Sequence, residues 1–365
     1  MSEIPKLNTY LKPQEYFGLQ FFALSYLNEK SKVKFTSTMY IISFIIRIVL
    51  NLYGYIFSGL FYGTIKNISM TENLLGFTLE IVVTFFTAAK VLFGIIEAFV
   101  KVKSNQKFFI LLHKFESFLV QNMNSRLHFG DFWIIQKYRM IFIGVVLTSF
   151  SLSIGIPMTK ASRLFLFLGL FVNMLGFCLI LFKICFYVDI VGVCLRNFHE
   201  SLERISINVH NEQIMVRNIY QSKRLYIYII KMTKQLNNFM SITIYLFMVS
   251  QTLYLSLRFY HLLLNDFCDL MRTIDILLSL VFGHTISSVQ IISCQRIEKF
   301  KQEIIEKISE IDDEIIGSLE GQKVLNSIYK QMKMQPVEIT ICGATKISKA
   351  YFAGVVFELK SRHDF

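Results

Sequence analysis

The stretch LFLFLGLFVNMLGFCLILFKICFYV, residues 164–188, carries a single charge, Lys183. A helix needs about 20 mostly apolar residues to cross the hydrocarbon core of a bilayer, and this run exceeds that. Reading outward from it, comparable runs cover residues 35–63, 74–100, 140–158, 239–263 and 274–294, with a weaker seventh at 337–357. Hydrophobic residues make up 53% of the 365-residue chain and charged ones only 18%, with a mean hydropathy of +0.48. A soluble domain of this size needs more charge on its surface. The pattern predicts an all-α polytopic membrane protein, and no Gly/Ser linker divides it. We therefore read residues 1–365 as a single transmembrane domain.

The net charge of +12 does not point to nucleic acid, because the basic residues gather at the ends of apolar runs. Lys6, Lys12, Lys30, Lys32 and Lys34 precede the first run. Lys101 to Arg139, Arg196 to Lys234 and Arg296 to Lys333 fill the connections after the second, fourth and sixth. The intervening loops hold only Lys66, then Lys160 and Arg163, then Arg272. Lys and Arg collect on the cytoplasmic side, so the N-terminus is expected to be cytoplasmic. Residues 1–34 lack the apolar core and cleavage site of a signal peptide, which makes the first span the expected insertion signal. The sequon at Asn67 falls in the first outer loop and is the expected glycosylation site.

The cytoplasmic connections show helical periodicity. Phe108, Leu111, Leu112, Phe115, Phe118 and Leu119 form one apolar stripe. Beyond the sixth span Ile297, Phe300, Ile304, Ile308, Ile311, Ile315 and Leu319 form another, which predicts that the span continues into the cytosol as an amphipathic helix. Such a stripe serves either a coiled-coil seam between subunits or packing on the helix's own neighbours.

Charges within the spans are costly and mark functional or paired positions. Arg47, Lys90 and Lys183 lie toward the inner ends, where snorkelling relieves the cost. Glu80, Arg258 and Asp275 lie in outer halves, close to Tyr53, Tyr55, Tyr254, Tyr260 and His261. An aromatic-lined cavity with a few polar groups suits a small organic ligand, so Tyr55, Glu80, Tyr254, Arg258 and Asp275 are the expected ligand-binding residues. The same groups also fit an interfacial aromatic belt with structural ion pairs. His284 reads as a hydrogen-bonded core histidine. The six cysteines and seven histidines show no metal-ligand spacing, and no nucleophile, phosphate-loop or paired-carboxylate motif occurs. No enzyme, metal or cofactor is expected.

Near the C-terminus, KVLNSIYKQM (residues 323–332) leads into VEITICGATKIS (337–348) and AYFAGVV (350–356). These stretches, with the span pattern, orientation and length, resemble the insect gustatory receptor family. The resemblance implies a seven-helix plasma-membrane receptor, a ligand-gated non-selective cation channel that detects small-molecule tastants. It also implies a tetramer, formed with copies of itself or with other gustatory receptors. The family's Thr-Tyr and Gln-Phe signature is absent, and the chain closes on FELKSRHDF (357–365), so the seventh span is expected to be incomplete. Alternatives are a non-conducting truncated receptor, a G-protein-coupled receptor and a secondary transporter. The second would require an external N-terminus, and the third internal repeats with broken helices.

Overall fold

In the computed structural model the described residues are 3–16, 45, 48, 49, 52, 74–155, 161–207, 212–263, 270–314, 319–341 and 345–346. Most of the first span, with Tyr55, Asn67 and residues 347–365, lies outside them. A 3-10 turn at Ile4–Lys6 leads into α1 (Leu7–Tyr16). The long elements are α2 (Leu74–Val100), α3 (Val102–Met123), α4 (Phe132–Gly155), α5 (Ala161–Ile207), α6 (Glu212–Leu263) and α7 (Leu270–Glu314). A shorter α8 (Leu319–Met334) precedes the two-residue strands β1 (Thr340–Ile341) and β2 (Thr345–Lys346). Among the described residues the architecture is all-helical apart from this antiparallel strand pair.

Helix α2 has the bounds that hydropathy predicts for the second span. One residue, Lys101, separates it from the amphipathic α3. Four residues of the predicted stripe, Phe108, Leu112, Phe115 and Leu119, are at most 1% exposed, Leu111 and Phe118 are half-buried, and Phe109, outside the stripe, is buried as well. Asn124, in the left-handed region at φ 44°, ends that helix with its N–H bonded to the Leu119 carbonyl. Asparagine tolerates this conformation better than most residues, which suits it to a helix stop.

Helices α5, α6 and α7 run 47, 52 and 45 residues. At 1.5 Å per residue each is roughly 70–80 Å long, more than twice the thickness of a hydrocarbon core. The expected fourth, fifth and sixth spans are therefore parts of much longer helices. Among the described residues, Met174–Arg204 and Gln213–Tyr260 are long and apolar enough to cross a membrane. The first of these is not lipid-facing as its composition suggests. From Phe177 to Leu195 the whole circumference of α5 is buried by protein, Lys183 and Asp189 included. A helix apolar all round belongs in such a position.

Helix α6 holds the bundle together, packing on α2, α3, α5, α7, α8 and β1. Around Tyr187 of α5, the rings of Phe108, Phe109, Phe186 and Phe239 approach edge-on at 5.0–5.8 Å. The Tyr187 hydroxyl donates to Asn105 Oδ1 at 2.8 Å, so this buried phenol is satisfied.

Two expectations change along α7 and after α8. The stripe along α7 buries Ile297, Ile304, Ile308 and Ile311 inside this chain, which is the packing reading rather than an intersubunit seam. It does not run on to Leu319, because α7 ends at Glu314 and Leu319 opens α8. The segment expected to start a seventh helix at residue 337 is extended instead, with Thr340 opposite Lys346 and Ile341 opposite Thr345. Val337, Ile339, Thr340, Ile341 and Thr345 are β-branched and favour extended backbone. Val337 and Ile339 are buried, and the Asn237 side chain accepts from Thr340 N at 3.3 Å and donates to the Glu338 carbonyl at 2.9 Å.

Candidate functional site

Of the five predicted ligand residues, the structure brings two into a described contact. Tyr254 and Arg258 stand one turn apart on α6, where side chains four positions apart are neighbours. The Arg258 guanidinium lies 5.2 Å from the Tyr254 ring centre, within cation–π range. Across from them, Gly283 lets α7 approach closely. A Cβ built on Gly283 would fall 2.9 Å from Leu255 Cδ2 and 3.1 Å from Tyr254 Cε1. Leu255 and Leu280 are buried below, with Leu262 against them. His284 is exposed beside Phe259, their rings 6.4 Å apart, so it is not the core histidine expected from its position in the span. Glu80 lies on α2 and Asp275 on α7, with their side chains outside the described residues, as are Tyr55 and Asn67 altogether.

One layer further in, α2 meets α5 and α6 at Lys90. Snorkelling does not occur there or at Lys183, whose residues are 2% and 1% exposed. The ammonium of Lys90 donates to Ser250 Oγ at 2.8 Å and sits 3.8 Å from the Phe177 ring centre, with Phe247 at 5.4 Å. Those two rings stack on each other, 5.3 Å apart and only 12° from parallel. Lys90 is therefore capped by π faces, and its sequence position alone gives no sign of this.

Further along the bundle, two buried carboxylates, Asp189 and Glu97, bind side chains from other helices in ways the sequence does not announce. Asp189 of α5 pairs with Arg139 of α4 and accepts from Gln136 Nε2 at 2.8 Å. Arg139 also donates to Ser293 Oγ of α7 at 2.6 Å, so one guanidinium joins three helices. A small cleft lined by Arg139, Phe142, Ile143, Leu181, Phe182, Cys185 and Val289 opens beside it, and none of the predicted ligand residues lines it. Glu97 of α2 accepts from Lys101 Nζ at 3.1 Å and from Thr243 Oγ1 at 2.6 Å. An acid four residues before a lysine at the inner end of an apolar run was the only available signal for Glu97.

Burial pushes the Cys194 thiol up, away from the thiolate form. Burial and the nearby Glu338 push the Tyr226 phenol up, and as a neutral donor it reaches the Gln335 carbonyl at 3.4 Å. No group of three or more His, Cys, Asp or Glu side chains among the described residues is placed to hold a metal ion.

Comparison with known proteins places this geometry. No protein-family model matches the chain, and no curated protein sequence does. Among solved structures, the insect olfactory receptor OR5 from Machilis hrabei matches with a TM-score of 0.68. The match covers 99% of this chain and 98% of that one, at 10% sequence identity. Sequence similarity this low leaves the fold as the shared property: along nearly its whole length, this chain is folded as that insect olfactory receptor is.

Proposed function

We propose that this chain is a subunit of a membrane chemoreceptor, a ligand-gated non-selective cation channel of the insect gustatory type. The observation that carries the reading is the fold it shares, over almost all of both chains, with a protein named an insect olfactory receptor. The gustatory assignment is supported by the C-terminal stretches quoted above. In this reading the protein sits in the plasma membrane with its N-terminus cytoplasmic, and it assembles as a tetramer with itself or with other gustatory receptors.

A small tastant enters from outside and is held where α6 meets α7, by the face of Tyr254 and the cation of Arg258. Tyr55, Glu80 and Asp275 are the further ligand-binding residues of this reading, on the strength of the sequence pattern alone. Ligand binding favours the open state in proportion to its differential affinity for that state. The cationic Arg258 favours tastants that carry a hydrogen-bond acceptor or an anionic group.

The test is calcium imaging of cells expressing the chain, alone and with related receptors, against a tastant panel. The expected result is a response whose half-maximal concentration rises about tenfold or more in Tyr254→Ala and Arg258→Gln, equivalent to about 1.4 kcal/mol of lost binding. A chain that reaches the surface and answers no tastant in either setting overturns the channel reading. Epitope tags read with and without permeabilisation test the orientation, and an external N-terminus overturns it.

A further inference from the structure

The seam between the two halves of α6 is held by side chains from another helix. Residues 212–238 of α6 belong to its cytoplasmic half, and residues 239–263 form the expected fifth span. At the join, the Glu97 carboxylate, from a residue 4% exposed, accepts backbone N–H bonds from Ile242 at 3.2 Å and Thr243 at 2.9 Å. Within the continuous α6 the acceptors that the ladder offers those amides are the carbonyls of residues 238 and 239, so Glu97 competes with the helix's own acceptors. The Asn238 carbonyl receives a foreign donor in turn, Lys101 Nζ at 2.5 Å, and the same ammonium reaches Ser241 Oγ at 3.3 Å. Lys101 is itself paired with Glu97. A carboxylate and an ammonium from the end of α2 thus grip the donors and acceptors of a single turn of α6.

Helices kink where a side chain inserts into the backbone ladder. Glu97 offers this turn of the continuous α6 a second acceptor from outside the helix. The neighbouring residue on the cytoplasmic side, Asn237, holds Glu338 and Thr340 through both ends of its amide. Lys301 of α7 fixes the same segment through Glu338 Oε1 at 3.3 Å. The turn that Glu97 and Lys101 grip therefore adjoins the residue that holds β1, and the membrane half carries Tyr254 and Arg258 at its other end.

We propose that Glu97 and Lys101 form a charge latch on a hinge at residues 238–243 of α6, which sets the angle between the ligand-facing half of that helix and the half that holds β1. Glu97 is a positioning residue in this scheme, since it touches backbone and not ligand. The consequence for gating rests on the receptor reading above, but the hinge itself does not.

Hydrogen–deuterium exchange on the full chain in lipid nanodiscs, without any ligand, tests the latch. Glu97→Gln turns one oxygen into an NH2 that faces amide donors. Exchange across residues 238–245 should then rise about tenfold or more, while the buried α3 stripe at 108–119 keeps its wild-type rate. Lys101→Met removes the donor to the Asn238 carbonyl, Ser241 Oγ and Glu97 but leaves the Glu97 carboxylate on the two amides, so a smaller rise confined to the same turn is expected, and this variant decides the matter if Glu97→Gln does not fold. Wild-type exchange at 238–245 in the folded variants, or a rise shared equally by 108–119, overturns the hinge. In calcium imaging the latch variants should shift the half-maximal tastant concentration with the maximal response retained. A local exchange increase in a protein that answers no tastant leaves the hinge standing and counts against the channel reading alone.

Discussion

Replacing Lys90 with methionine should leave the protein as stable as before or more so, whereas replacing its partner Ser250 with alanine should destabilise it. Burying an ammonium costs several kcal/mol even after relaxation. Against that stand the hydrogen bond to Ser250 at 2.8 Å and the Phe177 face at 3.8 Å. A hydrogen bond to a charged group contributes about 1.5–3 kcal/mol and a desolvated cation–π contact about 2 kcal/mol, so gain and cost nearly cancel. Methionine fills similar volume without the charge, and such replacements of buried charges range from neutral to about 4 kcal/mol stabilising. Ser250→Ala keeps the charge and removes its acceptor, which should cost about 1.5–3 kcal/mol. In the Lys90→Met background the same serine change should cost close to nothing. Thermal unfolding of the detergent-solubilised protein, followed by size-exclusion fluorescence, reads all four states of this cycle. A large loss in Lys90→Met together with a silent Ser250→Ala would refute the account of how the ammonium is held.

Two further substitutions probe contacts between helices. Gly283→Val places carbon where a Cβ alone would already meet Leu255 Cδ2 at 2.9 Å. Overpacking costs about 1–3 kcal/mol, more than the roughly 1 kcal/mol of helix propensity that leaving glycine returns, so a lower melting temperature and a weakened tastant response are expected. Asp189→Asn and Arg139→Met each break a buried pair and should cost about 3–5 kcal/mol, while Asp189→Leu combined with Arg139→Met should be milder than either. Surface expression and melting temperature check that order, and a double variant worse than both singles would contradict it.

Much of the fold can be read from the chain because hydropathy and periodicity report which face of a helix is apolar. The bounds of α2, the buried stripe of α3 and the continuation of the sixth apolar run into a long helix all follow from spacing. A pattern does not say which partner an apolar face meets. The isoleucines of α7 fit a seam between subunits as well as they fit their own neighbours, and only the fold, by setting α7 against α5, α6 and α8, decides it. The extended start at residue 337 was hidden for a related reason, since a short apolar run with β-branched residues suits a helix or a strand until something docks it. Asn237 does so here, from a hundred positions earlier in the chain.

The charges show the same limit more sharply. Lys90 stands ten residues from the end of its helix, where a long side chain reaching for the surface is the simplest expectation. Phe177, Phe247 and Ser250 come from two other helices, and nothing local to residue 90 predicts that they converge on it. Glu97 and Lys101 look like an ordinary surface pair one turn apart, worth about 0.5 kcal/mol in isolation. What makes the pair consequential is that α2 ends against the middle of α6, where backbone amides are within its reach. Fully buried polar groups that bridge distant helices are where a bundle has few alternative arrangements, because displacing either partner strands a charge. Such points can hold a helix in one of two discrete positions, whereas apolar contacts slide. If α6 carries a signal from Tyr254 toward β1, the states between which it switches should therefore differ at Lys90 and Glu97 before they differ in the aromatic packing around Tyr187.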